Sequence, residues 1–302
     1  MSGNSTDGDR IALGIDLGGT KVRTGAVTES GEVLGEGLLP TEAGRESERV
    51  FANIVRSAEQ ACQNAGLNME DVWSVGIGSP APLDLSEGVI VSPGNLPSLH
   101  GFPMVERLQE ALGKPVVLNN DGNCFGLAEA RYGAGQGAEV CCGLTLGTGL
   151  GCAVVMHGRI YSGPGGAAAE IWCSPHGDEI VEEAVSGRGV ARSYTQLTGR
   201  ETDAADIADR ARKGDKEAIQ AYRQFGRDLA VPLAYVCNVL DPDVVVLGGS
   251  LSRAHDLFGE AMEAHAREYI NEINRRRLRI VRAALGDDAG VLGAAALPFS
   301  EL

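Results

Sequence analysis

Gly14-Ile15-Asp16-Leu17-Gly18-Gly19-Thr20-Lys21 is the stretch from which the rest of the chain can be read. The apolar run 11–15 reads as a buried strand ending at a carboxylate, and residues 22–27 read as a second strand. The turn between them offers backbone N–H groups, a hydroxyl, an ammonium and one carboxylate. Such a turn admits phosphate closely, because glycine has no Cβ to hold a ligand away. Asp16 stands where a hydrated divalent cation on those phosphates needs an oxygen partner. A plain Gly-Gly hairpin with an incidental Asp reads the same way. The glycine spacing fits neither the dinucleotide fingerprint nor the Walker A pattern.

A second copy tips the balance. Gly143-Leu144-Thr145-Leu146-Gly147-Thr148-Gly149-Leu150-Gly151 again runs from an apolar strand into glycines and a threonine. It continues through 152–156, a His157-Gly158 turn and Arg159-Ile160-Tyr161. The first copy likewise continues to a Ser30-Gly31 turn and Glu32-Val33-Leu34. Two strand–turn–strand–turn–strand units therefore begin about 130 residues apart, an internal repeat. Two such halves predict two phosphate loops on opposite walls of one cleft.

Composition narrows the class. The 302 residues are 43% hydrophobic, enough for a sizeable core in two lobes. A net charge of −15 argues against nucleic acid or an anionic membrane as a partner. No apolar run approaches the roughly 18 residues of a spanning helix, and the first ten residues are polar, without a signal-peptide core. The seven cysteines form no Cys-x-x-Cys pair and fit a reducing cytoplasm better than a disulfide framework.

In chain order, residues 49–65 show helical spacing closed by Gly66, and 72–77 read as a strand breaking into Ser79-Pro80-Ala81-Pro82. Residues 104–112 read as a helix capped by Gly113, and 116–118 as a strand. That strand ends in Asn119-Asn120-Asp121-Gly122-Asn123, a polar cluster where ligands gather in open α/β sheets. Asp121 is placed either to cap a helix over 123–132 or to meet a ligand. Residues 216–240 carry apolar side chains at helical spacing, with a kink predicted at Pro232. Residues 243–247 read as a strand whose Gly248-Gly249-Ser250 turn opens the next helix.

These motifs together resemble the ROK family (repressors, open reading frames and sugar kinases) of the actin-like ATPase and sugar kinase superfamily. Residues 16–21 look like its first phosphate loop, and Leu146-Gly147-Thr148-Gly149 like its second. Its Gly-x-Gly-x-Pro-Gly-Pro is close to Gly76-Ile77-Gly78-Ser79-Pro80-Ala81-Pro82. Asn95-Leu96-Pro97, Asn120-Asp121-Gly122-Asn123, Leu247-Gly248-Gly249 and the stretch 288–296 match further family motifs, and the match is colinear over 11–298.

The resemblance implies an α/β, two-lobed ribonuclease-H-like fold around a central cleft. Residues 1–118 with the helix 289–302 would form the smaller lobe, and 119–288 the larger. It implies an ATP- and Mg²⁺-dependent hexose kinase acting on the 6-hydroxyl of glucose, cytoplasmic and dimeric. Asp121 would be the base. Asp16, Gly18, Gly19, Thr20, Lys21, Gly147, Thr148, Gly149, Gly248 and Gly249 would hold nucleotide, with Mg²⁺ held through water at Asp16. Gly78, Ser79, Asn95, Asn120, Asp121, Glu170 and Glu182 would hold the sugar.

The chain departs from the family at one place. The family's Gly-Glu-x-Gly-His appears as Ala169-Glu170-Ile171-Trp172-Cys173, and the zinc-binding cysteine cluster that should follow is missing before Glu182. Cys173 and His176 are two ligands where a structural zinc wants four, so no zinc is expected. An N-acyl-hexosamine or fructose kinase would use the same machinery. A repressor needs a helix-turn-helix ahead of the first strand, where about ten polar residues stand. A non-catalytic sugar sensor would be expected to lose Asp121.

Overall fold

The computed structural model of the chain describes residues 9–302, so the polar start lies outside the described residues up to residue 8. It forms two compact units, the first comprising residues up to Gly133 together with Leu285–Leu302, the second Ala134–Ala284.

The first unit is built on β1 (Ile11–Leu17), β2 (Lys21–Thr28), β3 (Val33–Pro40), β4 (Ser74–Ser79) and β5 (Val116–Asn120), side by side in the order β3-β2-β1-β4-β5. The first three are antiparallel neighbours joined by tight turns, while β4 runs parallel to both β1 and β5. Helix α1 (Ser47–Ala65) covers β3 and stops at Gly66, whose left-handed φ of 69° closes its last turn. Helix α2 (Met104–Leu112) ends the same way at Gly113.

Helix α3 (Asp121–Tyr132) and the C-terminal helix Ala289–Glu301 pack on each other, and the latter also lies on β1 and β4. By these contacts the first unit runs past residue 118 to Gly133. The C-terminal helix is apolar all round, as expected of a helix enclosed on several sides. It sits so close that a Cβ on Gly76 would lie 1.8 Å from the Ala294 carbonyl oxygen, and one on Gly14 2.1 Å from that of Val291. Gly76→Ala should therefore cost about 2–3 kcal/mol and lower Tm by roughly 5–10 °C. Gly44→Ala, which meets nothing within 4 Å, should melt with the wild type. Identical thermal melts for both variants would refute the close approach.

The second unit repeats the plan. Its strands β6 (Val140–Leu146), β7 (Leu150–Met156), β8 (Arg159–Ile160), β9 (Val244–Gly248) and β10 (Arg279–Arg282) lie in the order β8-β7-β6-β9-β10. Again the first three alternate and the last two run parallel to β6. The same order in both units matches the repeat expected from the two glycine turns and the ribonuclease-H-like fold that the family resemblance implies. Helices α4 (Gly187–Thr198), α5 (Ala204–Arg212), α6 (Lys216–Leu240) and α7 (His255–Tyr269) cover this sheet, with Tyr194, Tyr222, Phe225 and Phe258 fully buried among Leu144, Leu146 and Leu247. Helix α6 runs without interruption through Pro232. No disulfide forms among the described cysteines. Among the described residues no helix is long and apolar enough to cross a membrane.

Candidate active site

In the first unit three parallel strands end together. Asp16 on β1 stands opposite Gly78 on β4, and Gly78 opposite Asn119 on β5, so the three lie in a row at the strands' carboxyl ends. Asp121 follows two residues on, and a Cβ on Gly78 would come within 3.7 Å of its Cα.

The polar cluster after β5 organises itself. Asn119, nearly fully buried, accepts the Asn120 N–H at 2.8 Å and the Asn123 amide at 2.9 Å on one oxygen. Asn120 is the cap of α3: its Oδ1 accepts the Gly122 N–H at 2.9 Å. The helix thus begins at Asp121, two residues earlier than the sequence spacing predicts, and capping does not fall to Asp121. Its Oδ1 shares the Gly122 N–H at 2.8 Å. The carboxylate is reachable by solvent yet flanked by protein on most sides. Loss of hydration pushes its pKa up, the charge of Asp16 adds to the rise, and the Gly122 N–H opposes it.

Asp16 is also pushed up, by burial first, against the pull of Lys21 and Arg23. It accepts no hydrogen bond among the described residues, and Gly290 leaves it room, since a Cβ there would lie 2.6 Å from its Oδ2. A buried carboxylate with open lone pairs suits a hydrated cation. The turn beyond it is pinned by Thr41, a fully buried residue that nothing in the sequence singles out. The Thr41 hydroxyl donates to Gly18 O at 2.6 Å, its N–H donates to Thr20 O at 3.0 Å, and the Gly18 N–H donates to Lys21 O. Gly19 abuts Asn95, whose side-chain nitrogen lies 3.3 Å from where a Cβ would stand. The Ser79 hydroxyl is buried and turned to its own loop, donating to Pro80 O at 3.3 Å.

The second unit carries the other glycine turn. The Gly147 N–H donates to Gly149 O at 3.0 Å, and the Gly187 N–H donates to Gly147 O at 2.9 Å. Gly249 takes φ +79°, and a Cβ on it would lie 2.3 Å from Leu146 O, so position 249 admits only glycine. Around these turns lies a cavity of about 590 Å³. Gly147, Thr148, Gly187 and Ser250 form one wall, and apolar Ala204, Ala208, Leu251 and Ala254 another. Arg188, Arg212, Tyr222 and Arg253 also reach it, from four successive helical segments. Arg212 is held by both oxygens of Asp256, at 2.9 and 3.1 Å, and the Tyr222 hydroxyl donates to Ala204 O at 2.7 Å.

Glu182 lies on this glycine turn. Its Oε2 accepts the Leu150 N–H at 3.1 Å, crowds Gly149 so closely that a Cβ there would lie 2.3 Å away, and its other oxygen meets Arg188 at 3.4 Å. Glu170 is exposed; the Trp172 indole N–H donates to its carboxylate and the Cys173 thiol donates to its carbonyl oxygen at 3.2 Å. Ala169, just before it, takes a left-handed φ of 65°.

Zinc does not fit here. Cys173 turns back on Glu170, and His176 faces Asp228 at 3.4 Å. Among the described residues no three His, Cys, Asp or Glu side chains are grouped to hold a metal ion. Dialysis against a zinc-selective chelator, followed by Mg²⁺, should leave Tm and kcat unchanged, because a structural zinc would contribute on the order of 10 kcal/mol. Stoichiometric zinc in the purified protein, or activity restored only by zinc, would refute this.

A family model described as the ROK family matches residues 12–300. A glucokinase of Thermotoga maritima is 31% identical over 309 residues, covering 94% of this chain and 96% of its own. An N-acetyl-D-glucosamine kinase of Photobacterium profundum is also 31% identical, over 304 residues, covering 94% and 98%. Among solved structures, a ROK family glucokinase from Streptomyces griseus in complex with glucose and AMPPNP superposes with a TM-score of 0.77 at 27% identity, over 95% of this chain and 98% of that one.

Proposed function

The chain belongs to the ROK family, and on that premise we propose that it transfers the γ-phosphoryl group of ATP to the 6-hydroxyl of a hexose, glucose first. One observation carries the reading. Asp121 follows a row of strand ends, its helix is capped by a neighbour, and its carboxylate stays open to solvent. A kinase acting on an alcohol needs such a group, to orient the hydroxyl and accept its proton as the oxygen attacks phosphorus and ADP departs.

The rest of each unit fits its share of the task. Lys21, Thr20 and the Gly19 N–H suit phosphate oxygens, and Gly18, whose own N–H is taken by Lys21 O, shapes the turn that presents them. Gly147, Thr148, Gly149, Gly248 and Gly249 would hold the nucleotide in the second unit, the apolar wall of the 590 Å³ cavity suiting a base and its arginines the phosphates. Asp16 would hold Mg²⁺ through water, and the ion would neutralise charge on the transferring group. Gly78, Asn95, Asn120 and Glu170 would hold sugar hydroxyls, which demand paired donors and acceptors. Ser79, turned to its own loop, and Glu182, bonded to the 147–150 turn, would support those two turns from behind. A cytoplasmic location and a homodimer complete the proposal.

The glucokinase and the N-acetylglucosamine kinase are each 31% identical to this chain, so the 2-position of the sugar is the point to test. A coupled assay with ATP across a dozen monosaccharides should give the highest kcat/KM on glucose. Faster turnover of N-acetylglucosamine or fructose would move the enzyme within its family. Sugar binding without phosphorylation of any sugar would make it a sensor, and polyphosphate outperforming ATP would reassign the donor cavity.

A further inference from the structure

The segment 170–182, which carries Glu170, has little apolar anchorage. Ala169 and Ile171 pack on the second unit's core at one end and Val181 is buried at the other, but no apolar side chain between Ile171 and Val181 packs into that core. The chain fills the gap with a small hairpin, Pro175–His176 against Glu179–Ile180, turning through Gly177 at φ +61°. Two-residue strands hold little by themselves.

What fastens the hairpin is polar. Nε2 of His176 lies 3.4 Å from Oδ1 of Asp228 on α6. That oxygen also accepts the Gln224 amide at 2.9 Å, and Gln224 in turn accepts two N–H groups of Arg227, at 3.1 and 2.7 Å. Three links thus fix the acceptor before His176 meets it. On the other strand, Glu179 accepts Arg192 of α4 at 2.7 Å. The His176 and Asp228 side chains are only 16% and 23% exposed, so solvent screens this contact less than an open surface pair. Each hairpin strand is therefore tied to a different, well-packed helix.

We infer that His176–Asp228 and Glu179–Arg192 are positioning pairs for the sugar-binding carboxylate, setting Glu170 through the hairpin without a metal. The inference rests on the reading of Glu170 as a sugar ligand. None of the four residues touches substrate in it; they act through the backbone that leads to Glu170.

Five variants test it: Glu170→Gln, His176→Ala, His176→Gln, Arg192→Ala and the double alanine variant. Each is assayed for kcat and for KM with glucose and ATP, with thermal melts alongside. Each single alanine variant should raise the glucose KM roughly fivefold and the double variant more, with kcat and ATP KM within twofold and Tm within 2 °C. His176→Gln, whose amide can still donate to Asp228, should recover most of the loss. Added salt should raise the glucose KM of the wild type and leave that of the double variant unchanged. If Glu170→Gln raises the glucose KM while the alanine variants match the wild type, the positioning role is overturned. If Glu170→Gln leaves the glucose KM unchanged, the reading of Glu170 fails instead. A general fall in Tm with kcat and both KM values moving together would show only structural support and would also overturn the inference.

Discussion

Asp121→Asn is expected to lower kcat by a hundredfold or more while the Kd for the sugar stays within a few-fold of the wild type. The amide has nearly the same shape and keeps one oxygen, so the contact with Gly122 N–H survives. What it loses is the ability to take the hydroxyl proton, and general-base catalysis supplies roughly 10²–10⁴ in rate. Two further readouts follow from the raised pKa of the group. The acid limb of the kcat/KM profile should fall at a pH above the ordinary 3.8, since the base must be ionised. Stability runs the other way. A carboxyl whose pKa is higher folded than unfolded contributes stability below its unfolded value, and that contribution is lost as pH rises through the folded value. At neutral pH the ionised, poorly hydrated group is a cost to folding, so Asp121→Asn should melt no lower than the wild type. A variant that keeps near-full kcat would remove Asp121 from the mechanism, whatever its melting temperature.

Some of this site was legible in the sequence because its chemistry is local. A strand that ends in Asp-x-Gly-Gly-Thr-Lys announces a tight glycine turn, and its second copy announces a repeated sheet. The two sheets have the same strand order for that reason. Asn119-Asn120-Asp121 was visible as a polar cluster, but not the division of labour within it. Whether Asn120 or Asp121 caps the helix is decided by which side chain reaches the Gly122 N–H with the backbone still extended, at φ −68° and ψ 145°. Contributions from distant segments left no local trace. Thr41 pins the first turn from the far end of a hairpin, and Arg188, Arg212 and Tyr222 meet at one cavity from three helices. Glu182 could be aligned to a motif, yet its placement on Gly149 depends on a contact 32 residues away. Nor does composition tell which of 42 glycines are close approaches; Gly76 and Gly14 are, because a helix from the other end of the chain lies on them.

Gly147→Val is the second large effect expected, and it should fall on the phosphoryl donor alone. A Cβ at Gly147 meets nothing closer than Ser250 Oγ at 3.6 Å, so the protein itself accepts a side chain there. The added methyl groups would instead enter the cavity that Gly147, Thr148 and Ser250 line. Phosphate approaches such a turn through its N–H groups, and a branched side chain would hold the triphosphate off by an ångström or more. Displacement on that scale costs on the order of a hundredfold in a transfer reaction, which should appear in kcat/KM for ATP. Folding should be untouched, in contrast to Gly249→Val, whose side chain would collide with the Leu146 backbone and whose φ of +79° a β-branched residue resists. Comparing the two variants separates a blocked cavity from a broken turn: the first melts with the wild type and binds sugar, the second loses Tm. If Gly147→Val raises the glucose KM and leaves the ATP KM in place, the second glycine turn does not hold the donor.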